Sequence, residues 1–191
     1  MKKINIIGFG KMGMQISSLL MIMGYQVNIF TENFLLKEKK FIISNKIFEK
    51  FFKIKQYGKY ELFENIKDLP KNHTIEVLVE DLTIKKKILS KLDYDFDDNF
   101  LFTNTSSYDP KEINKNAYGI HFFNPIHQIK VMETTCSQSI INNDAKFFFD
   151  DLNFVKINST NFLAVIFIFI LFVNLFGMIP YNYTPTSQLC W

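Results

Sequence analysis

The chain has 191 residues, 48% of them hydrophobic and 21% charged; that supports at least one packed core and excludes wholesale disorder. Its formal charge of +3 comes from Lys alone, because the sequence contains no Arg. It therefore lacks the guanidinium forks that read guanine edges or grip buried phosphates, and no nucleic-acid partner is expected. Two cysteines, Cys136 and Cys190, are too few and too far apart for a disulfide framework or a zinc knuckle, and no metal site is expected.

Lys3-Ile4-Asn5-Ile6-Ile7 is a short β-rich run that ends at Gly8. Gly8-Phe9-Gly10-Lys11-Met12-Gly13 follows, then Met14 to Met23, an apolar-rich helical stretch stopped by Gly24. Gln26 to Phe30 is the next strand. A Gly-x-Gly-x-x-Gly pattern marks a dinucleotide site only in this strand–turn–helix–strand setting. Gly8 then permits the tight turn, Gly10 lets the backbone approach a pyrophosphate, and Gly13 allows close packing of helix on strand. The helix N-terminus offers its free N–H groups to the phosphate. The plainer alternative is a glycine-rich turn in an ordinary βαβ unit. A ribose-binding carboxylate is expected roughly 20 residues on, at the end of the second strand. Thr31 occupies that end and Glu32 stands one step later. A 2′-phosphate calls for Arg, which the chain lacks, so NAD is expected rather than NADP.

Between Lys37 and Lys59, eight Lys and two Glu give a local charge of +6. Ile43, Ile47, Phe51 and Ile54 repeat at helical spacing while Lys46, Lys50 and Lys53 fall on another face. This predicts an amphipathic helix with a cationic outer face. Such a face is commonly just solvated. The functional alternative is a landing strip for a phosphorylated substrate tail, effective chiefly at low salt because the Debye length is about 8 Å at physiological ionic strength.

Ile75 to Leu82 reads as a strand end, with a helix opening at Thr83. Phe100 to Ser107 is a strand running into a polar turn, and Gly119 to Pro125 precedes Ile129 to Glu133. Here the chain resembles the NAD-binding domain of the 3-hydroxyacyl-CoA dehydrogenases over about residues 1–160. The family's Gly-x-Gly-x-Met-Gly stands at Gly8 to Gly13, its Val-Glu-Asn-Leu as Val79-Glu80-Asp81-Leu82, its Asn-Thr-Ser-Ser at Asn104 to Ser107 and its His-Phe-Phe-Asn-Pro at His121 to Pro125. The resemblance implies that His121 is the general base, paired with Glu133, that Ser106 touches substrate hydroxyl and cofactor, and that Asn124 lies beside the base. It also implies cofactor contacts at Gly8, Gly10, Met12, Gly13, Glu80, Lys85 and Asn104. Coenzyme A contacts fall on the Lys-rich helix, at Lys46, Lys50 and Lys53. Read from the residues alone, a His with a carboxylate 12 positions on across a strand pair is a base and its orienter, or a structural His bonded to a buried Glu. His73 and His127 read as surface residues.

The last 35 residues carry no charged side chain. Within them, 162–179 is apolar but for Asn174, close to the roughly 20 residues that cross a bilayer as a helix. A transmembrane helix is one reading; a fully buried helix or a misjoined tail is the other. If the helix spans, the flanking Lys146 and Lys156 leave the preceding domain in the cytoplasm. Phe167 to Tyr181, with Thr184-Pro185-Thr186-Ser187, resembles a membrane helix of ATP synthase subunit a, which points to a fusion or frameshift near residues 159–165. Val165 falls where the dehydrogenase family has a catalytic Asn, and the helical domain through which that family dimerises has no counterpart.

The sequence is thus read as α/β: a Rossmann-type doubly wound, mainly parallel sheet over residues 1–158, then an uncharged tail, 159–191, with a C-terminal hydrophobic helix. The expected activity is NAD-dependent oxidation of 3-hydroxyacyl-CoA, at low turnover. The alternatives are a non-catalytic, membrane-anchored NAD-binding module and a chimeric fragment of ATP synthase subunit a.

Overall fold

β-Branched residues dominate the first two strands, β1 (Lys3–Ile7) and β2 (Gln26–Phe30), and four residues of each are buried in sequence. Strands buried on both faces belong to a parallel sheet covered by helices on either side, and β1 and β2 pair in parallel with Lys3 opposite Gln26 and Ile7 opposite Phe30. The structure, a computed structural model, describes residues 2–32, 35, 37–55, 58–92, 96, 99–136, 146–152, 155–157 and 171. Its chain divides into two compact units, residues 1–156 and 157–191. The expected tail helix over 162–179 falls, apart from Leu171, outside the described residues. Among the described residues no helix is long and apolar enough to cross a membrane.

The remaining strands are β3 (Tyr60–Phe63), β4 (His73–Glu76), β5 (Leu101–Thr103), β6 (Ala117–Phe122), β7 (Val131–Thr134) and β8 (Val155–Ile157). They assemble in the order β3-β2-β1-β4-β5-β6-β7-β8. Pairing is parallel through β6 and antiparallel between β6 and β7. The first six follow the doubly wound order, so chain direction across the sheet reverses between β1 and β4. One face is packed by α1 (Lys11–Ile22), α2 (Glu38–Phe52) and α5 (Lys146–Leu152) in a core that contains Ile4, Ile6, Leu19, Leu20, Val27, Phe102 and Phe148. The other face carries Ile7, Phe30, Leu89, Leu101 and Ile113 beneath α3 (Leu82–Leu89) and α4 (Pro110–Ile113). Asn5 and Asn28 point their amides into the interior, where Asn28 Nδ2 donates to Asn5 Oδ1 at 2.9 Å and Asn5 Nδ2 donates to the Pro70 carbonyl at 2.8 Å.

Three details differ from the sequence reading. β3 was not expected; it is an edge strand with three exposed residues, so it lacks the apolar signal of a buried one. In α2 the residues that face the core are Phe41 and Phe48, whereas Ile43, Ile47 and Phe51 are 58%, 43% and 46% exposed. Phe41 and Phe48 lie two helical turns apart with Ser44 and Asn45 between them, a complete i, i+3, i+4, i+7 stripe. The two polar members dock on α1, where the Ser18 hydroxyl lies 2.8 Å from the Ser44 hydroxyl and 2.7 Å from Asn45 Oδ1. Counting apolar residues alone selected the wrong face. His73 and His127, read as surface residues, are half-buried and engaged. His73 Nδ1 accepts the Phe100 N–H at 3.0 Å, and the His127 ring packs edge-on to Phe48 and Phe51.

Tyr25 ties the start of the sheet to α5. Its side chain is buried, its hydroxyl donates to Asp151 Oδ2 at 2.5 Å, and Lys2 Nζ reaches the same oxygen at 2.6 Å. Burial, and then the Asp151 carboxylate, hold the phenol well above its ordinary pKa. The unfolded chain releases this proton above about pH 10 while the folded chain keeps it. Folding stability therefore falls as pH rises past that value. Thermal melts between about pH 9 and pH 11 should show a steeper loss of Tm in the wild type than in Tyr25→Phe; parallel curves would remove this phenol from the account.

Candidate functional site

The glycine turn lies at the carboxyl end of β1, beside β4, where the sheet reverses direction. Gly8 has φ +106°, and a Cβ there would lie 2.5 Å from the Val77 carbonyl oxygen. A Cβ on Gly13 would lie 2.2 Å from the Gly8 carbonyl oxygen. Both positions are closed to any side chain. Gly10 differs: a Cβ there meets nothing within 4 Å, so the space in front of it is open. Gly10 is also the N-cap of α1 and provides no side-chain cap, so the first N–H groups of the helix face that opening without an intrahelical partner. A cleft of about 440 Å³ is lined by Gly8, Gly10, Met12, Glu32 and Lys37, among others. An open cradle at a helix N-terminus, with an exposed carboxylate at the end of β2, suits a pyrophosphate-bearing dinucleotide.

At the end of β4 lies a charge cluster that sequence reasoning only half found. Glu76 is fully buried, and its carboxylate accepts from Lys85 Nζ at 2.8 and 3.1 Å, from the Thr103 hydroxyl at 2.5 Å and from the Leu78 N–H at 2.6 Å. Lys85 is equally buried and pairs also with Glu80 Oε2 at 3.2 Å. Glu80 Oε1 in turn accepts from the Thr105 hydroxyl and from the Ser106 and Ser107 N–H groups, each of these two at 3.0 Å. Burial raises the Glu80 carboxyl pKa, but the Thr105 hydroxyl, the Lys85 ammonium and the Ser106 N–H outweigh it and hold the group below the ordinary range. Glu80 and Lys85, expected as cofactor contacts, thus work first on the protein: they fix the Thr105–Ser107 turn. Glu76 was missed because a strand-end Glu gives no sign of burial until its Lys partner, nine residues on, is placed by α3.

β6 and β7 bring the next group together. His121 pairs opposite Glu133 in the antiparallel register, with Nδ1 3.6 Å from Glu133 Oε2. Ser106, His121 and Glu133 line one small cavity of about 110 Å³. Asn104, at the end of β5, accepts the Phe122 N–H on Oδ1 at 3.0 Å, which aligns the turn after β5 with the strand that carries His121. Asn124 lies in another cleft, of about 630 Å³, with Gly10, Gln15, Lys37, Lys40, Ile43 and His127. Lys46, Lys50 and Lys53 do not line it; they are exposed on the outside of α2 and just beyond it. Lys37 and Lys40 line it instead, because the face that α2 turns to the core is set by Phe41 and Phe48.

Residues 3–148 match the family described as 3-hydroxyacyl-CoA dehydrogenase, NAD binding domain. The chain belongs to that family. Its cofactor is NAD. No curated protein matches the sequence at a significant level. FadB2 of M. tuberculosis superposes with a TM-score of 0.65 at 21% identity, over 82% of this chain and 64% of that one. The dehydrogenase part of multifunctional enzyme 1 from C. elegans gives 0.63 at 21% identity, over 97% and 48%. For 3-hydroxybutyryl-CoA dehydrogenase from E. coli K12 the values are 0.61 and 18%, over 82% and 38%. At such identities the likeness is one of fold, and the chain spans less than two thirds of each of these structures. The family match ends at residue 148 and leaves the likeness of the tail to ATP synthase subunit a without support.

Within this dehydrogenase-family domain, the glycines separate folding from cofactor binding. Gly13→Ala should cost at least about 1–3 kcal/mol of stability, because backbone must move to admit the methyl group. Gly10→Ala should leave the melting temperature nearly unchanged while weakening NADH binding, read by NADH fluorescence. Equal effects of the two substitutions on stability would contradict the open cradle. Lys85→Met, which strands the buried Glu76 carboxylate, should cost about 3–5 kcal/mol in urea unfolding.

Proposed function

We propose that the domain catalyses the reversible oxidation of (S)-3-hydroxyacyl-CoA to 3-oxoacyl-CoA, with His121 as general base. The observation that carries this reading is the cross-strand pairing of His121 with Glu133 in a cavity shared with Ser106. With Nδ1 turned toward the carboxylate, Nε2 is the nitrogen left to take the proton of the substrate hydroxyl. Bound NAD supplies the acceptor for the hydride that leaves C3 as that proton departs. Glu133 favours the imidazolium that forms and holds the ring's orientation. Ser106, whose main chain is held by hydrogen bonding to Glu80, is assigned the contact to the substrate oxygen. Lys37 and Lys40, which line the 630 Å³ cleft, are assigned to coenzyme A phosphates. Lys46, Lys50 and Lys53 add long-range attraction from the outer face of α2, which salt screens.

The test is NADH binding and acetoacetyl-CoA reduction by the full chain. His121→Ala should lower the reduction rate by about 10²–10⁴-fold and leave the Kd for NADH unchanged. Undiminished reduction in that variant would remove His121 from the chemistry. Absence of NADH binding by the wild type would overturn the reading altogether.

A further inference from the structure

We infer that Gln15 is a positioning residue that fixes which end of the Asn124 carboxamide faces the cleft, so that a ligand meets an N–H donor suited to a carbonyl oxygen. The dehydrogenase reading enters only in naming the carbonyl's bearer.

Gln15 lies on α1, one short step past the glycine turn, half-buried and lining the same cleft as Asn124. The Ile126 N–H donates to Gln15 Oε1 at 3.0 Å. A main-chain N–H can only donate, so the oxygen of Gln15 is committed to Ile126. The other end of the Gln15 carboxamide is then an NH₂ group, which also can only donate. It donates to Asn124 Oδ1 at 3.0 Å. The oxygen of Asn124 is committed in its turn, and its NH₂ is the part left for a ligand. Polarity thus passes from one backbone donor through two carboxamides in series. The origin of the series is firm: Ile126 is fully buried in the core, and the Gln128 and Ile129 N–H groups close the turn on the Pro125 carbonyl at 3.1 and 3.0 Å. Asn124 is exposed and stands three residues after His121. On the dehydrogenase reading its donor serves either the carboxamide carbonyl of a nicotinamide or the carbonyl of an acyl thioester.

Gln15→Glu tests this in the full-length, ¹⁵N-labelled chain. The introduced carboxylate still accepts from Ile126 but cannot donate, so the Asn124 carboxamide must turn and give its NH₂ to it. The side-chain amide resonances of Asn124 should shift in Q15E and follow the titration of that carboxylate, with the melting temperature retained. NADH and acetoacetyl-CoA are titrated separately. The one whose carbonyl Asn124 serves should lose affinity about tenfold in Q15E, in N124A and in the double variant alike, while the other is unchanged. Should Q15E fail to fold, Q15M, which keeps the length without either polar end, must show the same selective loss. Asn124 resonances indifferent to Q15E would overturn the inference, as would a loss in Q15E that N124A does not share. If the wild type binds neither ligand yet the resonances respond, the control of polarity by Gln15 stands and the dehydrogenase reading fails.

Discussion

The contact on which the rest depends is the one between the α1 N-terminus and the end of β1. The Gly8 carbonyl lies where a side chain on Gly13 would have to be, and Gly8 itself lies against the Val77 carbonyl. Three backbone segments meet there with only hydrogen atoms between them. This close approach aims the unpaired N–H groups of α1 into the crevice at the point of chain reversal. It also sets where Gln15 emerges, a little further along the same helix, and so allows α1 to reach the turn after β6. A helix held farther off by one methyl group would lose both relationships at once.

Electrostatics adds a second fixed point at the neighbouring strand ends. A lone buried carboxylate at Glu76 would be costly. Here it accepts four hydrogen bonds and shares its lysine with Glu80. The result is a chain of contacts from β4 through α3 to the turn after β5, in which each group is satisfied by the next. Such a pair contributes little net stability, because desolvation cancels most of the attraction. What it supplies is geometry: the Ser106 main chain has one arrangement in which Glu80 is both bonded and paired.

Much of this was legible in the sequence because the signals were local. The glycine spacing, the β-branched runs around it and the His-Phe-Phe-Asn-Pro stretch each declare themselves within a few residues. The partnership of His121 and Glu133 was implied by the family resemblance, since the residues alone left a structural His equally open, and the register places them opposite each other. What the sequence concealed depends on distant partners. Glu76 looks like any strand-end carboxylate until α3 brings Lys85 over it. Gln15 looks like an ordinary helix polar residue until the turn at Asn124 lies against it. That Lys37 and Lys40, and not Lys46, Lys50 and Lys53, line the 630 Å³ cleft was hidden because the orientation of α2 is decided by two Phe and by the Ser18–Ser44–Asn45 contact, which apolar counting does not see.

The position of Gly10 bears on chemistry as well as binding. Phe9, Gly10, Lys11 and Lys37 line both the 440 Å³ cleft and the 630 Å³ cleft, so the turn, bare of side chain only at Gly10, stands between them. Hydride transfer demands that donor and acceptor carbons approach to about 3–3.5 Å. Under the proposed reaction such an approach leaves no room for backbone between the two carbons, so cofactor and substrate would have to meet past the edge of the turn at Gly10, where no side chain stands. On the same divide, Asn124 and Gln15 present polar groups to the larger cleft while Glu32 faces the smaller. The two sides therefore differ in character, one carrying the Glu32 carboxylate, the other the Gln15 and Asn124 amides and Lys40. The open face of α2, with Ile43 and Ile47 at its rim, belongs to that second side, and it stays exposed because Phe41 and Phe48 set the face that the helix buries.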